Sequence, residues 1–70
     1  MESAFFTVAP SQAGWLLLDG DRIAELFTSR FWALKAADCF AYERHVATGM
    51  PTAIIVEMAD GEGVFAARYE

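Results

Sequence analysis

The sequence predicts an α+β domain: an antiparallel sheet of four to five strands with one helix packed on a face, in the order strand, strand, strand, helix, strand, strand. Three observations carry this prediction. Short aromatic and β-branched runs are spaced along the chain. Asp19-Gly20 and Asp60-Gly61 fall between such runs, where Asp-Gly supplies the positive φ of a tight hairpin. One long segment, Thr28 to Gly49, has helical periodicity with start and stop signals at its ends.

In chain order, Ala4 to Ala9 reads as the first strand, which Pro10 ends because proline cannot donate to a sheet ladder. Trp15 to Leu18, opened by Gly14, is apolar at successive positions, as a strand covered on both sides is. Arg22 to Phe27 follows the Asp19-Gly20-Asp21 turn as a third strand antiparallel to the second. Thr28 or Ser29 caps the helix by accepting from a free amide of its first turn, and Gly49 ends it ahead of Pro51. Trp32, Ala33, Ala36, Ala37, Cys39, Phe40 and Ala47 fall on one side and are expected to face the sheet. Thr52 to Glu57, rich in β-branched residues, is expected to be a central or well-covered strand, and Val64 to Tyr69 is the candidate last one. No linker or repeat divides residues 1–70, so one domain is expected. Strand order and the covered face are left to tertiary packing.

Composition restricts the function classes. A chain of 70 residues has little interior, yet 56% of it is hydrophobic, which points to a self-association or partner surface. The net charge of -5 opposes binding to a phosphate backbone and favours a basic protein partner. The single Cys39 permits no disulfide within the chain, and one cysteine with one histidine cannot build an ordinary zinc site in a monomer. The opening stretch has no basic region ahead of its apolar residues, so no export signal is expected and a reducing cytoplasm is the expected location. No apolar run approaches the roughly twenty residues that span a bilayer.

Gly14-Trp15 opening a strand, Phe27-Thr28 before the helix, Ala33 and Ala37 within it and the Asp60-Gly61 hairpin form a pattern spread over most of the chain. It resembles a family of small bacterial domains of unknown function. Trp32 stands where that family carries an acid before the first helix alanine, and the chain's ending also differs. The resemblance implies the fold and no activity. A similar three-strand-plus-helix rhythm occurs in DNA-binding domains that read DNA with arginine-rich strands, whereas the three strands here offer only Arg22.

No catalytic residue, cofactor site or metal site is expected. Asp19, Asp21, Asp60 and Glu62 are what any turn uses, and the ordered ligand series of a calcium loop is absent. Asp38 and His45 lie two helical turns apart, too far for a catalytic pair. Cys39 reads as a small core hydrophobe. Phe31, Leu34 and Tyr42, with Lys35, Asp38 and His45 among them, form a second stripe turned away from Trp32 and Phe40. This stripe is the expected partner interface, the competing reading being a helix rolled so that Phe31 or Leu34 touches the sheet edge.

The sequence therefore points to a non-enzymatic, acidic protein-interaction module, homodimeric through a surface its small core leaves over. The alternative is a small phage-type inhibitor, such as an anti-CRISPR-like protein. It would present Asp19, Asp21, Glu57, Asp60 and Glu62 to the basic nucleic-acid-binding surface of a larger machine. Nucleic-acid binding by the sheet is a third reading, which the charge disfavours.

Overall fold

In the computed structural model of the chain, which describes residues 4–70, five strands and one helix follow the predicted order. The strands are β1 (Ala4–Ser11), β2 (Gly14–Asp19), β3 (Arg22–Phe27), β4 (Thr52–Glu57) and β5 (Gly63–Tyr69), with α1 (Arg30–Thr48) between β3 and β4. They form one open sheet in the order β3-β2-β1-β4-β5.

The sheet is mixed, which corrects the expectation of an antiparallel one: β1 and β4 run parallel, from Ala4 beside Thr52 to Val8 beside Val56. The reason is topological. The two hairpins of β1-β2-β3 leave β1 and β3 pointing the same way, and a helix crossing back over the sheet returns β4 in that direction too. With β2 already paired on both edges, β4 has only parallel neighbours to choose from, and it joins β1.

Pro10 does not end the first strand, which runs on to Ser11. Pro10 lies beyond Val8, the last residue paired to β4, so β1 has a neighbour on one side only there and tolerates a missing N–H. Gly14, φ 144°, is constrained more tightly: a Cβ built on it falls 2.3 Å from the Phe27 carbonyl oxygen. Ser29 is the helix cap, its hydroxyl accepting from the Trp32 amide at 3.2 Å. Gly49, φ 72°, closes the other end by donating its N–H to the His45 carbonyl.

The core lies between the helix and one face of the sheet. Phe6, Val8, Leu17 and Ile54 are buried there against Ala33, Ala37 and Ala41. Each large side chain so buried is worth about 1.5–3 kcal/mol relative to exposure. The three alanines let the helix backbone approach the sheet closely. Trp32 and Phe40, expected on this stripe, stand beside it instead, at 59% and 38% exposed, and Cys39 is exposed as well. At 100° per residue, the buried stripe is rolled by roughly 80° from the predicted one. Bulky aromatics at the line of contact would hold the helix off the sheet, so they flank it.

Candidate functional site

The roll of the helix rearranges the expected partner stripe. Leu34 packs against the core, so it leaves the exposed set. Asp38, Tyr42 and His45 are gathered around one residue, Tyr69 at the end of β5. The Tyr69 hydroxyl donates to an Asp38 carboxylate oxygen in a short hydrogen bond. The Tyr42 ring meets the Tyr69 ring edge-on with centroids 5.7 Å apart, and the His45 ring stacks on it at 6.2 Å. His45 Nδ1 lies 2.8 Å from the Met50 carbonyl oxygen, which can only accept, so Nδ1 carries the proton. Because Asp38 accepts from the neutral phenol, the Tyr69 pKa is raised above its ordinary 10.0. This cluster fastens the outer strand to the helix. Of the predicted stripe, Phe31 and Lys35 lie outside this cluster and are exposed, Phe31 60% exposed and edge-on to Trp32.

The acidic residues do not form one surface. The β2-β3 hairpin carries Asp19 and Asp21 beside the start of β1, since Asp19 is level with Phe6. The β4-β5 hairpin carries Asp60 and Glu62 past Val56, level with Val8 and therefore towards the other end. At about 3.3 Å per residue the two are on the order of 20 Å apart. Asp19 is also spoken for: Arg44 grips it at 2.6 and 3.4 Å. Asp60 accepts from the Glu62 amide at 3.0 Å, the bond of an Asx turn.

The larger surface lies on the side of the sheet away from the helix. Register assigns its residues: pairs Leu18–Ile23 and Leu16–Leu26 join β2 and β3, Thr7–Leu18 and Ala9–Leu16 join β1 and β2, and Phe5–Ala53 and Thr7–Ile55 join β1 and β4. Phe65 of β5 sits beside Ile55. These residues alternate with the buried Phe6, Val8, Leu17 and Ile54 and so face the opposite way. The result is an apolar face across all five strands, with Ile23 66% and Phe65 69% exposed near its two edges. Charge is confined to its margins, where Glu57 and Arg68 alternate onto this side.

Both outer strands are irregular. Ala24 in β3 and Ala66 in β5 are extra residues where the register shifts, each making a bulge. Bulged edges pair poorly with further strands. Among the described residues no cluster of three or more His, Cys, Asp or Glu side chains is arranged to hold a metal ion, and no helix is long and apolar enough to cross a membrane.

The fold and this geometry thus define an open α+β sheet with one covered and one uncovered face. No protein-family model, curated protein or solved structure matches the chain. Gly14 lies directly against the Phe27 carbonyl and Trp15 pairs with Phe27, so these three residues are held in one contact between β2 and β3. The sequence shows apolar residues on both sides of β2. It does not single out Ile23, Leu26, Phe5 and Phe65 as part of the same face without the strand order.

Proposed function

We infer that the chain is a non-enzymatic protein-interaction module that pairs with a second copy of itself through the uncovered sheet face. The observation that carries this reading is the apolar patch running over all five strands from Ile23 to Phe65. Five strands about 4.8 Å apart, over a length of about 20 Å, give a planar footprint on the order of 400–500 Å² per copy before side-chain relief is counted. A face-to-face pair then sits at the lower end of specific interfaces, about 1,200 Å² in total, and is a reversible, concentration-dependent dimer. Two such faces stack as the halves of a sandwich, about 10 Å apart. The bulges at Ala24 and Ala66 favour this arrangement over edge-to-edge growth of the sheet.

Sedimentation across a concentration series tests it. The wild-type chain should move from monomer to dimer, and Phe65→Glu or Ile23→Glu, at positions already exposed in the single copy, should keep it monomeric while far-UV circular dichroism is unchanged. Phe31→Glu, on the helix, should leave the dimer intact. A folded wild-type monomer at the highest concentration, or a dimer lost only with Phe31→Glu, would sink the proposal. The acidic-inhibitor reading has less support, because its carboxylates lie at opposite ends of the sheet and Asp19 is already paired with Arg44.

A further inference from the structure

On the helix side of the sheet, between α1 and the β3 edge, lies a cleft of about 350 Å³ lined by Phe6, Asp19, Ala24, Phe40, Glu43, Arg44 and Ala47. Its shape has a local cause. The bulge at Ala24 turns a methyl group into a position where a larger side chain would fill the space, and Ala47 does the same from the helix. Phe40 supplies the cleft's aromatic wall, backed by the buried Phe6 on which it stacks at 6.1 Å. We propose that this cleft binds a small organic amine with an aromatic body.

The volume lies within the roughly 300–1,000 Å³ of small-molecule sites, and apolar walls with a few polar groups are what such sites share. The charges decide the class of ligand. Arg44 and Asp19 neutralise each other through two hydrogen bonds, and the Arg44 guanidinium is further held 5.2 Å above the Phe6 ring. An anion would have to pull Arg44 from both. Glu43 has no hydrogen-bond or ion-pair partner among the described residues, so an ammonium group can meet it without breaking any bond. The same ammonium gains from the partly exposed Phe40 ring, the Phe6 ring being already covered by Arg44. The cleft lies on the covered side of the sheet, so it is independent of the proposed dimer.

The test is a titration of the full chain, followed by ¹H–¹⁵N correlation spectra, with tryptamine and with its neutral counterpart indole-3-ethanol. Shifts should cluster at Ala24, Phe40 and Ala47, and the amine should bind about two- to five-fold more tightly, the range of one exposed charge pair. Glu43→Gln should erase that preference, whereas Glu70→Gln, which removes the same charge elsewhere, should keep it. Ala47→Trp, at an exposed helix position, should weaken both compounds by filling the cleft. Equal affinity for the two compounds, shifts centred on the uncovered sheet face, or undiminished binding to Ala47→Trp would each overturn the proposal.

Discussion

Gly14 shows how a single residue can be required by geometry alone. Any side chain there meets the Phe27 carbonyl oxygen and must also adopt a φ that L-residues avoid. Gly14→Ala should therefore destabilise the chain by about 1–3 kcal/mol from backbone strain, with the clash adding to it, as read by chemical denaturation. Tyr69 gives a different kind of prediction. Its neutral phenol is the form that donates to Asp38, so its folded pKa stands above 10.0 while its unfolded one does not. The stability it contributes is complete below pH 10 and is lost as pH rises through the folded pKa. Tyrosinate absorbance in the folded chain should accordingly keep rising beyond the range of free tyrosine, and either Asp38→Asn or Tyr69→Phe should remove that late component. The Asp-Gly turns and the Ser29 and Gly49 caps were legible from residue type, because each meets a local backbone requirement. The tasks of Gly14 and Tyr69 were not, since both are set by residues distant in the chain.

At the scale of elements, the helix is the instructive case. Its ends follow their capping residues, but apolar side chains occur on nearly every side of it, so periodicity alone did not say which side is buried. Closeness of approach decided the matter in favour of Ala33, Ala37 and Ala41, all with no exposed surface. Ala37→Leu should cost about 1–3 kcal/mol by overpacking that contact, whereas Trp32→Ala, at a position more than half exposed, should cost much less than the roughly 3–5 kcal/mol of a buried tryptophan. Thermal unfolding of the two variants separates the observed stripe from the one periodicity predicts. The expected strands match the observed ones to within one residue at their ends, because apolar runs and turn residues bound them. The exception is β1, extended past Pro10 by a free edge that only the assembled sheet provides.

For the whole molecule, the balance of charge and apolar surface separates the two interaction readings. Each copy carries a charge of -5, while the middle of the uncovered face has no charged residue. Screening reduces repulsion between like-charged copies without weakening apolar contact, so raising the salt concentration should tighten the dimer. An acidic inhibitor on a basic partner would behave in the opposite way, losing affinity as salt rises. Sedimentation at low and high ionic strength checks the direction.

The sequence by itself determined the number and order of elements, their approximate ends and the surplus of apolar residues, because these depend on local backbone preference and on composition. It did not determine that the sheet is mixed, since the direction of β4 depends on the helix crossing back over the sheet to lie beside β1. Tertiary structure alone decided which side of the helix is buried, that Asp38, Tyr42 and His45 serve Tyr69, and that the acidic hairpins lie apart. These follow from register and from how closely the helix can approach the sheet. Both are properties of residues brought together from distant parts of the chain, which local patterns do not encode.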